Sequence, residues 1–220
     1  MTRLGTRSVP GKWLLSAQLV FLALPATAAT DLPDKVDSFM EYLMDHLDVV
    51  PGYAIAIAGP DSTILARGYG TTAAPGGQPM DADTQVYIAS ATKSLTGLAV
   101  ASLAEKGLVD LGVGVDRYVP ELDGSAAGRT TLRQLLSHTH GLEEDGLTWR
   151  TAYSGQYTDE ILLDLVKRLP LADDQRAFRY SNTGYVVASI VLEQYLDKSW
   201  KQIVAEEVLA PAGMSSTTAF

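Results

Sequence analysis

Apolar and polar positions fall into two successive registers along the 220-residue chain. Val36, Phe39, Met40, Leu43 and Leu47 recur at three- and four-residue steps, which predicts an amphipathic helix from about Asp34 to Leu47. "VVPGY" interrupts that pattern, and "YAIAIA" (Tyr53 to Ala58) follows with the composition of a buried strand. "GPDS" is a turn sequence, so "TILARGYG" (Thr63 to Gly70) reads as the returning arm of a hairpin. Residues 71–83 are rich in Gly, Pro and Ala and predict a loop. A lone hairpin is marginal in water, so these strands need partner strands.

From Ser90 onward the period is that of helices. Leu95, Leu98, Ala99 and Leu103 are expected on one face, with the small Ser102 among them and Gly107 as the stop. "TTLRQLLSH" (Thr130 to His138), "TDEILLDLVKRL" (Thr158 to Leu169), "TGYVVASIVLEQYL" (Thr183 to Leu196) and "SWKQIVAEEVLAPAGM" (Ser199 to Met214) predict further helices. The pattern is a short hairpin followed by a mostly helical region, without repeats or low-complexity runs.

The chain is long enough for one sizeable core or two small ones, and its apolar and charged fractions are those of a globular protein. A formal charge of -9 argues against nucleic acid as a partner. The absence of cysteine excludes disulfides and thiolate metal sites. The first residues have the form of a secretory leader: Arg3, Arg7 and Lys12 without an acidic residue, then the apolar "WLLSAQLVFLAL", then "PATAAT". Cleavage is expected after Ala28, which leaves 14 basic against 26 acidic residues, a formal -12. The apolar run is short for a membrane span; the alternative is an uncleaved N-terminal anchor. The leader points to the periplasm or the outside, with no stable membrane span after cleavage.

Three short stretches carry candidate chemistry. Ser90-Ala91-Thr92-Lys93 places a hydroxyl and an amine on one helix face, three residues apart. A helix start favours developing negative charge, and a serine becomes a nucleophile when a neighbouring base takes its proton. About one such tetrapeptide is expected by chance in a chain of this length, and taken alone it is better explained by an N-cap serine beside a solvated lysine. In "RYSNTGY", Tyr180 and Asn182 can point into one cleft, the phenol as a proton relay and the amide as a donor to a substrate carbonyl or a holder of the lysine amine. The plain alternative is a loop that caps the helix starting at Thr183. "LLSHTHGL" contains His138 and His140. No G-x-S-x-G accompanies them for a Ser-His-Asp reading, and a metal would need more ligands, so capping of helix carbonyls is the expectation.

Taken together, in order and at their spacing, these stretches resemble the serine β-lactamase and penicillin-binding-protein superfamily. The resemblance is greatest to the branch with class C β-lactamases, D-alanyl-D-alanine carboxypeptidases and β-lactamase-like esterases. "PGYAIAIAG", "ILARGYG", "DTQVYIASATKSLTGLAVASLAEKGLVDL", "VDRYVPEL", "TTLRQLLSHTHGL", "FRYSNTGYVVASIVLEQYLDKSW" and "VLAPAGMSSTTAF" all carry it, from about Pro51 to the last residue. It implies an α+β, β-lactamase/transpeptidase-like fold for residues 29–220, a helical region plus an antiparallel sheet of which only the N-terminal strands are present. It also implies that Ser90 is acylated, that Lys93 takes its proton, that Tyr180 shares general acid/base work and that Asn182 binds the substrate amide. The substrates implied are β-lactams, D-Ala-D-Ala-type peptides or small esters, with no cofactor and no metal. The family's usual "SHTSG" carries a small residue where this chain has His140.

The resemblance further implies a third motif, Lys-Thr-Gly or His-x-Gly, on a strand that borders the cleft and gives an oxyanion donor. Neither tripeptide occurs after Asn182. A fragment of a longer enzyme, a truncated gene product and a fold completed by a second chain are all compatible with this. A non-catalytic remnant or binding protein is the alternative function.

Overall fold

The computed structural model describes residues 31–47, 50–73, 75–143, 146–155, 157–172 and 177–218. The leader expected over residues 1–28 lies outside the described residues. The chain divides into two compact units, with the boundary between Thr84 and Gln85.

The first unit holds one helix and a hairpin. Helix α1 spans Leu32–His46, with a proline at its start, Asp34 in its first turn and His46 in its last, a charge order that suits the helix dipole. Strands β1 (Gly52–Ala58) and β2 (Thr63–Gly70) pair antiparallel from Gly52↔Gly70 to Ile57↔Leu65, with a register shift at Ala58. Among the described residues the sheet has these two strands only. Helix α1 braces β2 instead: Asp37 accepts from Tyr69 Oη at 2.8 Å and pairs with Arg67. Met40 and Leu65 are buried. The loop after β2 returns to it at Gly68, where any Cβ would lie 2.3 Å from the Met80 and Asp81 backbone.

The second unit is helical. A 3-10 turn (Ala89–Ala91) leads into α2 (Thr92–Glu105), followed by α3 (Leu132–Leu136), α4 (Leu147–Trp149), α5 (Asp159–Lys167), α6 (Thr183–Leu196) and α7 (Trp200–Val204). Helices α4 and α7 run on into π turns at Arg150–Ser154 and Ala205–Leu209. Helix α6 is apolar on most sides and buries Val187, Ala188, Ile190, Val191 and Leu192, so it becomes the centre of the unit, with α3, α4, α5 and α7 against it. Two short helices start on capping boxes, Thr131 with Gln134 and Ser199 with Gln202.

Helix α2 buries Thr96, Ala99, Val100 and Leu103, whereas Leu98 is exposed. The buried stripe is therefore rotated from the one that leucine spacing predicts. Thr96 tolerates burial because its hydroxyl accepts from Trp200 Nε1 at 3.1 Å and donates to the Thr92 carbonyl at 3.4 Å. Helix α3 is shorter than expected, because Ser137 is already its C-cap and His138 takes a left-handed φ of 60°.

Candidate active site

Ser90 sits in the 3-10 turn directly before α2, and Lys93 lies in the first turn of α2. Ala89, just before Ser90, has φ 45°, a conformation that alanine rarely adopts. The N-cap position of α2 falls to Ala91, which has no side-chain cap. Ser90 is exposed, and its Oγ accepts a hydrogen bond from Lys93 Nζ at 3.2 Å. One turn of helix brings the amine to the hydroxyl, as the i, i+3 spacing requires.

The segment before α6 supplies the other groups. Lys93 Nζ donates to Asn182 Oδ1 at 2.7 Å. Asn182 occupies the N-cap position of α6 without a side-chain cap bond, and the Thr183 N–H is served by Ser181 Oγ at 3.0 Å. The capping role open to Asn182 in the sequence thus passes to its neighbour, and Asn182 holds the lysine. Lys93 Nζ also lies 5.0 Å from the centre of the Tyr180 ring and 5.6 Å from that of Tyr185. The Tyr180 phenol is held below its ordinary pKa, first by hydrogen bonding with Lys93, then with Ser90, and burial opposes the shift only in part. Ser90, Lys93, Tyr180 and Asn182 therefore form one constellation.

Two further residues join it. Tyr185, three positions along α6 from Asn182, donates to the Leu136 carbonyl at 3.0 Å, and burial raises its phenol pKa. That i, i+3 relation was readable from the sequence. His138 packs its ring 4.7 Å from Tyr180, 5.3 Å from Tyr185 and 5.7 Å from Phe178. Burial, then the Lys93 charge, lower its pKa. Neither histidine's Nδ1 caps a helix carbonyl, contrary to expectation. His138 Nδ1 accepts from the Ser181 N–H at 3.2 Å, and the buried His140 Nδ1 accepts from the Leu142 N–H at 2.9 Å. Among the described residues, no group of three or more His, Asp or Glu side chains could hold a metal ion.

A serine, an amine and a phenol in mutual reach can pass a proton away from the hydroxyl and so create a nucleophile. Ser90 stands at the start of α2, where the helix carries partial positive charge that favours a developing anion.

A family model described as Beta-lactamase matches residues 36–220. Protein flp of Staphylococcus aureus (strain MW2) is 28% identical over 196 residues, a match that spans 86% of this chain and 38% of that protein. EstCE1, "a hydrolase with promiscuous acyltransferase activity", superposes with a TM-score of 0.71 at 25% identity over 86% of this chain and 53% of its own. The D-alanine carboxypeptidase AmpC from Burkholderia cenocepacia does so with a TM-score of 0.71 at 25% identity over 86% and 50%. The chain thus spans well under half the length of that curated relative and about half that of the solved structures.

Proposed function

The chain belongs to the β-lactamase family, with its fold, and from that premise we propose that it is the N-terminal part of a serine hydrolase that forms an acyl-enzyme on Ser90. The observation that carries the proposal is Lys93 Nζ held between Ser90 Oγ and Asn182 Oδ1, with the Tyr180 ring beside it. In this reading Ser90 Oγ attacks an acyl carbon while its proton passes to the pair formed by Lys93 and Tyr180. The lowered phenol supports Tyr180 as the group that stands deprotonated beside the lysine charge and accepts that proton. The Ser90 N–H, at the start of α2, gives one oxyanion donor. Tyr180 returns the proton to the leaving group, and water then attacks the acyl-enzyme by the reverse path. Asn182 fixes the lysine and binds the amide of the substrate.

The substrate is a β-lactam, a D-Ala-D-Ala-type peptide or a small ester. The names of the relatives, a carboxypeptidase and a hydrolase with acyltransferase activity, support these classes. The leader-like residues 1–28 support action in the periplasm or outside the cell.

The test is incubation with a fluorophosphonate, followed by intact mass and peptide mapping. A single adduct on Ser90, lost in Lys93→Ala, is the expected result. A folded chain that takes no adduct would overturn the proposal.

A further inference from the structure

Tyr180 is bracketed by one residue. The His138 carbonyl accepts from the Arg179 N–H at 2.9 Å, and the His138 ring accepts from the Ser181 N–H at 3.2 Å. Between these two bonds the ring lies 4.7 Å from that of Tyr180, tilted by 37°. The left-handed backbone of His138, at φ 60°, ends α3 and is the conformation in which carbonyl and ring both reach the same strand of chain. Lys93 Nζ lies 5.0 Å from the centre of the same Tyr180 ring.

We propose that His138 is a positioning residue, a clamp that sets Tyr180 against Lys93 and works only while its Nδ1 carries no proton. The inference rests on the acylation reading for its kinetic consequence, but the clamp itself is a matter of geometry. A ring nitrogen that accepts a backbone N–H must be unprotonated, so the neutral ring carries its proton on Nε2. Protonation would turn Nδ1 into a donor facing the Ser181 N–H and break one of the two bonds. The titratable groups facing the ring are Lys93 from α2, Tyr180 from the segment before α6 and Tyr185 from α6. In α3, the helix that His138 follows, the charged residue is Arg133, five positions away. The facing charge is positive, so both burial and Lys93 keep His138 neutral to below the ordinary imidazole range.

Three properties define the role: an acceptor at the Nδ1 position, a tolerated left-handed φ, and a ring against Tyr180. Asparagine keeps the first two, because its Oδ1 falls near Nδ1 and it adopts positive φ more readily than most residues, and it does not titrate. Alanine keeps none.

The experiment measures the rate of Ser90 phosphonylation from pH 4.5 to 8 in the parent, His138→Asn and His138→Ala, with circular dichroism to establish folding. In the parent, the rate should show a one-proton fall on the acid side of pH 6.5. His138→Ala should lower the rate about tenfold or more across the range, the scale of a misplaced proton-transfer group. His138→Asn should recover most of that loss at pH 7 and lack the acid fall. A parental rate in folded His138→Ala, or an acid fall retained in His138→Asn, would overturn the proposal. The second readout needs no reaction at Ser90. The Tyr180 Cζ resonance of 13C-labelled protein, followed by NMR, should titrate below a free tyrosine in the parent and in His138→Asn, and move up toward it in His138→Ala. An unmoved Tyr180 titration in His138→Ala would refute the clamp even if Ser90 proves unreactive, whereas a moved titration without any Ser90 adduct would refute only the acylation reading.

Discussion

Lys93 gives Asn182 a shorter hydrogen bond, 2.7 Å, than the 3.2 Å bond it gives Ser90. The amine is thus anchored from α6 while it serves the hydroxyl at the start of its own helix. Removing the anchor frees a long side chain with many rotamers. Asn182→Ala is expected to slow phosphonylation of Ser90 by about 10- to 100-fold, because a shift of about 1 Å in a reacting group can cost that much. Mass spectrometry of the adduct against time measures it. An unchanged rate would mean that Lys93 is held by other contacts.

The backbone before the nucleophile carries strain that a substitution can release. Ala89 has φ 45°, whereas Ala91, two residues on, has an ordinary helical φ of -61°. A left-handed L-residue costs about 1–2 kcal/mol, and a glycine costs about 0.4–1 kcal/mol through the entropy of the unfolded chain. Ala89→Gly is therefore expected to leave stability unchanged or raise it by up to about 1 kcal/mol, while Ala91→Gly lowers it by about 0.5–1 kcal/mol. Urea unfolding of the two variants gives the comparison. Equal losses in both would show that position 89 is not strained.

Away from the site, Glu207 accepts from Ser102 Oγ at 2.6 Å and from Lys106 Nζ at 2.5 Å, which ties α2 to the π turn after α7. The Lys106 bond first, then that of Ser102, holds the Glu207 carboxyl below its ordinary pKa of 4.5. A carboxyl depressed by folding adds stability above its unfolded pKa and loses it as pH falls through 4.5 and on through the lower folded value. Glu207→Gln is expected to cost about 1 kcal/mol at pH 7, kept small because Lys106 is half exposed. The gap between parent and variant should narrow as pH falls below 4.5. Paired urea titrations at pH 7 and 3.5 check the sign, and a gap that stays constant would assign the loss to packing.

Much of this architecture is written in the local pattern. The hairpin, α5, α6 and the Ser199 helix start fall where periodicity and capping residues place them. The i, i+3 spacing of Ser90 and Lys93 fixes their meeting, because both lie on one short stretch of helical turns. What escaped the pattern depends on partners distant in sequence. Leucine spacing put Leu98 on the buried face of α2, but Thr96 takes that place because Trp200, 104 residues away, satisfies its hydroxyl. Asn182 and His138 each had a plausible local capping role, and each is used across the fold instead. The stretch from Leu147 to Ser154 gave no helical signal because its turns widen from α to π, and the period that would betray it changes within eight residues.

His140 presents a last case, in which two positions are legible only together. The resemblance leads one to expect a small residue there, yet the imidazole is buried, with its Nδ1 accepting from the Leu142 N–H. Its ring fits because position 184 of α6 has no side chain: a Cβ on Gly184 would lie 2.7 Å from His140 Nε2 and 2.6 Å from the Leu135 carbonyl. Neither distance is tolerable without movement, so Gly184→Ala is expected to destabilise the protein by about 1–3 kcal/mol. His140→Ser opens space on one side of that contact and leaves the Leu135 carbonyl in place. The double variant His140→Ser/Gly184→Ala should therefore lose less than the sum of the single losses, by about 0.5–1 kcal/mol, the coupling expected of residues in direct contact. Urea unfolding of the four proteins in the cycle measures it. Strict additivity would mean that the Leu135 backbone alone forbids a side chain at 184, and that His140 owes its place to the Leu142 hydrogen bond rather than to the glycine.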